Sequence, residues 1–481
     1  MSRRAVTMLF VELRFFAFFA VVFTLYWMIS DNNWRKRVLL AASYTFYAAW
    51  DWRFLSLILF VSAVAYLVGR AVEAWPEDHR RRKIALGAGI ATTLAVLGVF
   101  KYFNFFTESF ADLATLMGLS VNSVTLSIVL PVGISFYTFQ AISYMVDVHR
   151  EDIPVKRSFA DVCFYIAFFP QLVAGPIVRA ADFMPQMQTA RRWADVNVKA
   201  NLLLFLIGFI KKACISDNIA PYVDAIFAAP ETYQATELVG GVFLYGVQIY
   251  CDFSGYSDMA IALAGLLGYR FLLNFDAPYL SPNIQTFWRR WHISLSTWLR
   301  DYLYIPLGGN RQGEVRRDVN LMITMLLGGL WHGASLNFVI WGFLHGLALL
   351  VHRNWEKLTA RKPKDPVITQ ASFTAAIGTV MTVYWVHLAW IFFRAPDLEH
   401  SIMMAKTYLT LQGGGSETLP IAVWPFLIFL MLIHWGTRQV DVAGAIERLS
   451  ANKFALVYGA SAALALSFVP LGYRPFIYFQ F

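Results

Sequence analysis

Charged side chains are scarce in this chain of 481 residues, in which Asp, Glu, Lys and Arg together make up 15%. Soluble globular proteins carry about 25%. Hydrophobic residues account for 58% of the chain, and the mean hydropathy is +0.52. This composition excludes a soluble enzyme and indicates a protein whose solvent is lipid. Since each crossing of a bilayer takes about 20 apolar residues, the sequence predicts an all-α polytopic membrane helical bundle with roughly ten to twelve spans.

Cysteine is also rare. Cys163, Cys214 and Cys251 show no C-x-x-C spacing, which excludes a disulfide framework. The chain has no H-E-x-x-H pair, and the glycine-rich run at 308–313 lacks the Lys-[Ser/Thr] ending of a phosphate loop. We therefore expect no bound metal, no resident cofactor and no nucleotide hydrolysis.

Basic residues outnumber acidic ones, 40 to 31, for a net charge of +9. In membrane proteins such residues gather on cytoplasmic loops. The basic runs at 35–37 and 80–83 are therefore predicted to be cytoplasmic, which places the N-terminus outside, although Arg3 and Arg4 favour the opposite orientation. The excess charge indicates contact with anionic lipid and not with nucleic acid.

Several apolar segments are short or interrupted. Pro131 and Gly133 stand in one of them, and Pro170, Gly175 and Pro176 in another. Irregular backbone at membrane depth is tolerated only where protein buries it or where it lines a watered cavity. We therefore predict broken or re-entrant helices. The chain shows no fixed-period repeat, long linker or separate soluble domain, so residues 1–481 are interpreted as a single membrane domain.

Residues 281–304 show the clearest helical periodicity. With Ser281 as N-cap and Pro282 at the first helical position, the large apolar side chains fall on one stripe of a 3.6-residue helix. The abundance of Trp and Arg predicts a helix that lies in the membrane interface or packs against the bundle, and not a span. His292 is at the boundary between the two faces, where it can reach an aqueous vestibule or the protein interior.

A second histidine, His332, stands among glycines in otherwise apolar sequence. Glycines break a helix or let other groups approach its backbone. Histidine titrates near physiological pH and suits general-base catalysis on a hydroxyl. The alternative is a structural histidine bonded between helices. His345 and His387 have weaker cases: they line the same cavity or bond a neighbouring helix.

Two carboxylates, Asp252 and Asp258, follow an apolar segment. Their six-residue separation is unfavourable for one helix face, where three or four is needed. Capping of a broken helix by Ser254 or Asp258 is therefore favoured over a proton relay or an ion site.

Longer motifs resemble the signature of the membrane-bound O-acyltransferase family. They are Phe287-Trp-Arg-Arg-Trp-His292-Ile-Ser, continuing to Gly309, and Gly329-Leu-Trp-His332-Gly-Ala-Ser. The likeness extends through residues 130–140, 169–177, 252–258 and 476–481, so it covers essentially the whole chain. It is to the bacterial branch that contains the alginate O-acetylation protein and the teichoic-acid D-alanyl transferase. Leu336 departs from it, since many members carry Trp at that position.

The resemblance implies that His332 is the catalytic histidine, deep in a central tunnel joining the two membrane faces, and that His292 is a second functional histidine. It implies an acyl donor that approaches from the cytoplasm, with acetyl-CoA as the expected substrate, and an acceptor that arrives from outside or through a partner. The basic side chains of Arg289, Arg290 and Arg300 can attract an anionic donor, or extend to lipid headgroups.

The function that the resemblance implies is O-acetylation of an exported polysaccharide by acetyl transfer across the bacterial inner membrane. Alginate is the favoured polysaccharide. Acetylation of peptidoglycan or cellulose and D-alanylation of teichoic acid are the nearest alternatives. A transporter or flippase would predict inverted repeats, which the sequence does not show, and a non-catalytic scaffold would need neither histidine. The resemblance also implies periplasmic acetyltransferase partners that complete the transfer, and the sequence shows no periplasmic domain large enough to do so itself.

Overall fold

A computed structural model describes residues 8–119, 125–126, 129–359, 373–470, 472 and 474–477. Within these ranges the regular structure is helical, and extended backbone pairs only at an isolated bridge between Tyr233 and Glu417. The chain divides into two compact units. The first comprises the described residues up to Phe205 together with Met259–Leu272. The second comprises Leu206–Asp258 and the described residues from Leu273 onward.

The helices that begin in the first unit are α1 (Leu13–Met28), α2 (Asn32–Asp51), α3 (Leu55–Ala74), α4 (His79–Leu97), α5 (Phe103–Leu116), α6 (Ile134–His149), α7 (Phe159–Ala167), α8 (Phe169–Leu172), α9 (Ala180–Phe183) and α10 (Val198–Phe209). Those that begin in the second are α11 (Asp217–Ala228), α12 (Ala235–Leu266), α13 (Ile284–Arg290), α14 (Ile293–Leu299), α15 (Glu314–His332), α16 (Leu336–Leu358), α17 (Phe373–Arg394), α18 (Leu398–Thr410), α19 (Val423–Gln439), α20 (Val442–Glu447) and α21 (Ala451–Leu466). Turns of π-helix extend α4, α10 and α14 at Gly98–Tyr102, Ile210–Ser216 and Arg300–Tyr304.

Among the described residues, four helical stretches are long and apolar enough to cross a bilayer. They are Asn32–Ala74, His79–Leu116, Leu336–Leu358 and Phe373–Arg394, while α1 and α21 are apolar but shorter. Large apolar side chains remain exposed on these helices, as expected of surfaces that face lipid. The protein is therefore an all-α, polytopic membrane helical bundle. The count of ten to twelve spans and the central tunnel stay predictions.

The predicted breaks in the first unit are confirmed. Gly133 precedes α6 with φ +74°, and a Cβ there would lie 2.5 Å from the carbonyl oxygen of Leu172. Pro170 stands in the first turn of the four-residue helix α8, and a Cβ on Gly175 would lie 2.6 Å from the Cα of Gln171. These segments are buried, which satisfies the condition for irregular backbone in a membrane protein.

One end of the first unit is basic. Lys36, at the start of α2, pairs with Asp161 near the start of α7 at 2.7 Å. Arg82, in the first turn of α4, pairs with Glu151 just after α6 at 2.8 Å. The two basic runs that the sequence assigned to the cytoplasm therefore belong to helix termini on the same end of this unit.

The prediction of one continuous helix over 281–304 is wrong. Three pieces replace it: α13, α14 and the following π-helical turn. Asn283, and not Ser281, caps α13, since its side chain accepts the backbone N–H of Thr286 at 2.7 Å. The chain then turns at His292, whose φ of +43° is in the left-handed region. A non-glycine residue in this conformation is strained by about 1–3 kcal/mol, so tertiary contacts must stabilise it. Helical periodicity in the sequence contains no information about such contacts.

Candidate functional site

The helical hairpin of α15 and α16 positions His332. A Cβ on Gly329 would lie 2.1 Å from the carbonyl oxygen of Phe338, and a Cβ on Gly342 would lie 2.4 Å from that of Met325. Glycine is therefore required at both places for the two backbones to pack this closely. His332 is the last residue of α15, and the extended backbone of the next residue ends the helix.

Aromatic rings surround the buried imidazole of His332. Its ring centroid lies 4.9 Å from that of Trp331, 5.0 Å from that of Trp341 and 5.0 Å from that of Phe393 on α17. Such apolar walls lower the local dielectric constant, which strengthens any electrostatic interaction made by the imidazole.

His292 is fully buried and is held by Asn274. Its Nδ1 lies 3.3 Å from Oδ1 of Asn274. The same oxygen accepts the backbone N–H of Ser294 at 3.1 Å and its hydroxyl at 2.9 Å. The amide nitrogen of Asn274 donates to the hydroxyl of Ser257 at 3.0 Å. The orientation of the asparagine side chain is thereby fixed, with its oxygen towards His292.

This network determines the tautomer of His292. Because Oδ1 of Asn274 is an acceptor and the Ser294 hydroxyl already donates to it, Nδ1 of His292 carries the proton. The lone pair of the neutral imidazole is then on Nε2, which has no hydrogen-bond partner among the described residues. His292 lies outside the four apolar stretches, and burial lowers its pKa to about 3. The imidazole therefore stays neutral at physiological pH and can accept a hydrogen bond or a proton.

The structure brings both predicted histidines to one indole ring. The ring centroid of Trp331 lies 6.1 Å from that of His292 and 4.9 Å from that of His332. Two histidines that are 40 positions apart in the sequence thus belong to a single site within the second unit.

The two remaining helix-borne histidines differ. On α17, Nδ1 of His387 lies 2.7 Å from the carbonyl oxygen of Val383, one turn earlier in the same helix. On α16, His345 is fully buried and neither of its ring nitrogens has a hydrogen-bond partner among the described residues. His387 therefore has a structural bond, and His345 has unused hydrogen-bonding capacity.

Tryptophans line the surroundings of His345. Its ring centroid lies 4.7 Å from that of Trp341 and 5.0 Å from that of Trp288, and it stacks on Phe287 at 6.1 Å. The indole N–H groups of Trp341 and Trp288 are buried and likewise have no partner in the described part of the chain. Buried polar atoms are nearly always bonded in proteins, so these three side chains are available to hydrogen-bond a water molecule or a substrate group.

The three arginines predicted to attract the donor lie on α13 and on the π-helical turn after α14. Arg289 and Arg300 are exposed, whereas Arg290 is buried. Arg300 pairs with Asp301 at 2.6 Å, and Nε of Arg290 lies 4.0 Å from the carboxylate of Asp276. The role of these arginines in donor binding stays a prediction.

The capping interpretation of Asp252 and Asp258 is wrong, because both lie within the continuous helix α12. Lys212 Nζ lies 2.6 Å from Asp252 and 2.7 Å from Asp217, and Lys211 Nζ lies 2.7 Å from Asp258. We call these five residues the lysine cluster. The lysines that pair with Asp252 and Asp258 come from the π-helical turn after α10, about forty residues earlier in the chain. The sequence pattern around the two carboxylates therefore could not reveal these partners.

Sequence reasoning also missed Asn274. Its one signal is an amide side chain inside the short apolar run Leu-Leu-Asn-Phe. As to metals, no three His, Cys, Asp or Glu side chains among the described residues are grouped as metal ligands. The site as described is built from histidines, indoles and one asparagine.

Comparison with known proteins identifies the class. Residues 45–393 match the membrane-bound O-acyltransferase family. The chain is 37% identical to a protein of Pseudomonas putida named probable alginate O-acetylase, over 97% of this chain and 98% of that protein. An Azotobacter vinelandii protein of the same name is 41% identical, over 94% and 91%. The peptidoglycan O-acetyltransferase of Helicobacter pylori is 35% identical, over 83% and 79%.

The chain therefore belongs to the membrane-bound O-acyltransferase family. It is an acyltransferase and a multi-pass membrane protein. The prediction of a single domain over residues 1–481 is not tested by these matches and stays a prediction.

Proposed function

We propose that this acyltransferase moves an acetyl group from acetyl-CoA on the cytoplasmic side to an acceptor on the other side of the bacterial inner membrane, for O-acetylation of an exported polysaccharide, alginate. Two relatives that the chain covers over more than nine tenths of their length are named as probable alginate O-acetylases. Others are named for peptidoglycan O-acetylation and teichoic acid D-alanylation, which are the alternative products for the same site.

One observation carries the proposal. Two buried histidines contact the same indole, and the network around Asn274 leaves one of them with an unbonded lone pair. Acyl transfer to a hydroxyl needs imidazole groups that can take up and pass on a proton, because the acceptor must lose its proton as it attacks the carbonyl carbon and that proton must then reach the leaving group.

In the proposed reaction, His332 removes the proton of the acceptor hydroxyl while the oxygen attacks the thioester carbonyl carbon. The new C–O bond forms, the C–S bond breaks, and the proton held by His332 passes to the departing thiolate. His292 orients the donor or shuttles this proton through its Nε2. Both histidines end the cycle neutral, so the site needs no bound metal and no resident cofactor.

His345 and the indoles of Trp288 and Trp341 bind the oxygens of the reacting groups in this proposal. The indoles can only donate hydrogen bonds, whereas a neutral histidine has one donor and one acceptor. A hydroxyl or an acyl carbonyl beside His332 fits these groups, and aromatic walls keep competing water away from the thioester.

We place the basic end of the first unit in the cytoplasm, following the positive-inside rule. The acyl group then leaves the site on the opposite, periplasmic side. Transfer to the polymer itself is assigned to periplasmic acetyltransferase partners, with which this chain forms an acetylation complex.

The test is His332→Ala in the producing bacterium, with ester-linked acetate on the exported polymer as the measurement. Acetylation should fall about 100-fold or more, the usual range for loss of a general base. The matched control is His387→Gln, which changes a buried histidine of the same unit whose ring is bonded to its own helix.

Normal acetylation by the His332→Ala protein at normal abundance would refute the mechanism. If acetate is lost from peptidoglycan, cellulose or another polymer while alginate is unaffected, the proposed mechanism stands and that polymer, not alginate, is the product. Loss of D-alanine would replace the acyl group as well.

A further inference from the structure

A basic pocket of about 450 Å³ opens on the first unit. We define it by Arg191, Arg192 and Asp195 from the loop before α10, and by Gly268 and Arg270 from the segment after α12. Its volume is within the range of small-molecule sites, about 300–1,000 Å³. Three guanidinium groups therefore share a concave surface with one carboxylate.

Specific contacts hold the Arg191 side of the pocket. The left-handed turn at Gly268 (φ +84°) is needed because a Cβ there would lie 2.9 Å from Cβ of Arg191. The guanidinium of Arg191 lies 5.5 Å from the ring centroid of Tyr269 and donates to the Thr189 hydroxyl at 3.0 Å. Buried Arg35 donates to the Arg191 carbonyl at 2.6 Å. This side of the pocket is therefore held in place by specific contacts.

The Arg270 side is held as firmly. The side chain of Gln186 donates to the carbonyl of Arg270 at 2.9 Å and accepts its backbone N–H at 2.8 Å. This two-point bond fixes the backbone of Arg270. Its guanidinium is exposed and forms no ion pair with a described residue.

The electrostatics of the pocket favour an anion. Arg192 pairs with Asp195 through two bonds of 2.8 Å. This pairing holds the pKa of Asp195 below its usual range, and the charges of Arg270 and Arg191 lower it further. Three positive charges converge on a single carboxylate, so the pocket can accept additional negative charge.

The location restricts the ligand. The hydrogen bond from Arg35 connects the pocket to the start of α2, which belongs to the basic end of the first unit.

A second pocket on this unit, of about 330 Å³, is lined by Arg70, Glu73 and Arg157. There both arginines pair with the same glutamate, at 2.9 and 3.0 Å. The basic pocket has the larger uncompensated charge, and guanidinium groups match phosphate geometry.

We propose that the basic pocket is a phosphate or diphosphate site that holds the phosphate groups of the cytoplasmic thioester donor. Its assignment to the donor rests on the proposed function, whereas the phosphate site itself does not. The headgroup of an anionic lipid offers the same chemistry, and the experiment separates the two sources.

Purified protein in an uncharged detergent is titrated with inorganic pyrophosphate and, separately, with acetyl-CoA. Arg270→Gln should weaken pyrophosphate binding about fivefold, as expected for one exposed charge. Asp195→Asn removes the competing carboxylate and should strengthen it by about two- to fivefold. Arg157→Gln, in the second pocket, where the arginine is paired with Glu73, should leave it unchanged. A merely structural role for these residues predicts no gain from Asp195→Asn.

No pyrophosphate binding by the wild-type protein, or equal effects of Arg270→Gln and Arg157→Gln, would overturn the phosphate site. If pyrophosphate binding responds to the variants while acetyl-CoA binding does not, and phosphatidylglycerol competes with pyrophosphate, the lipid source replaces the donor. Failure of the proposed function gives a different result: the His332→Ala protein would then transfer acetate normally, while pyrophosphate binding and its response to the pocket variants would be unchanged. Arg270→Gln should raise the KM for the donor, Asp195→Asn should lower it, and neither should change kcat.

Discussion

We define the histidine cluster as His292, His332 and His345 with Trp331 and Trp341. This cluster and the lysine cluster both lie in the second unit, and all of their residues except the partly exposed Lys211 are buried. They differ in how their polar groups are satisfied. Every charged group of the lysine cluster faces an opposite charge within 2.7 Å. In the histidine cluster, Nε2 of His292 and both nitrogens of His345 have no partner among the described residues. Complete pairing indicates a structural role, and unbonded groups at the same depth indicate a place for substrate.

The largest effect is expected from a substitution that breaks the ion pairs of the lysine cluster. Lys212→Met leaves two buried carboxylates without their shared cation, a change that costs about 3–5 kcal/mol in comparable buried pairs. We expect loss of folded protein, measured by thermal unfolding and size-exclusion chromatography in detergent. Adding Asp217→Asn and Asp252→Asn should recover folding. A Lys212→Met protein that folds normally but transfers no acetate would contradict the contrast, because the lysine cluster would then act in the reaction.

The next effect concerns the group that orients His292. Asn274→Ala removes the acceptor for Nδ1–H and should reduce transfer by about 10- to 100-fold, a range typical of groups that orient a functional imidazole. Ser257→Ala, which removes only the hydrogen bond donated by the amide nitrogen of Asn274, should reduce transfer less than about twofold. Initial rates and unfolding temperatures of both variants provide the measurement. Equal losses for the two would show that Asn274 matters only for packing.

A smaller effect separates the two buried histidines on α16 and α17. His345→Phe retains a ring but removes both unbonded nitrogens, and should raise KM with a loss of about tenfold in kcat/KM, near the value of one lost hydrogen bond to substrate. His345→Asn should recover part of the loss. His387→Phe serves as the comparison at the level of kcat/KM per folded molecule. If the two phenylalanine variants behave alike, unbonded nitrogens do not distinguish a substrate-binding histidine from a structural one.

The smallest expected effect is that of pH on the ratio of wild-type to His292→Asn transfer rates. Because burial lowers the pKa of His292 to about 3, it stays neutral from about pH 5.5 to pH 8. The ratio of wild-type to His292→Asn rates should therefore be constant over this range, within about twofold. With an ordinary pKa near 6.5, protonation would remove the advantage of the histidine at low pH, and the ratio would rise as pH increases. A rising ratio would thus show that His292 is solvated.

Local features of the sequence predicted the membrane environment and singled out the two histidines that the structure brings to one indole ring. The prolines and glycines around 131–133 and 170–176 indicated breaks because their backbone requirements are properties of the residues themselves. The motifs around His292 and His332 identified the family for the same reason, since they are contiguous. By contrast, the continuous helix over 281–304 and the capping by Asp258 were wrong, because each depended on a partner outside the segment.

The chain composition by itself establishes that lipid is the solvent and that the few buried polar groups require explanation, since transfer of charge and hydrogen-bonding groups out of water is costly wherever it occurs. Which of those groups are satisfied depends on contacts that join distant residues. Asn274 meets His292 across 18 positions, and Lys212 meets Asp252 across 40. Neither follows a helical period, so the assignment of one cluster to structure and the other to chemistry comes from packing in three dimensions.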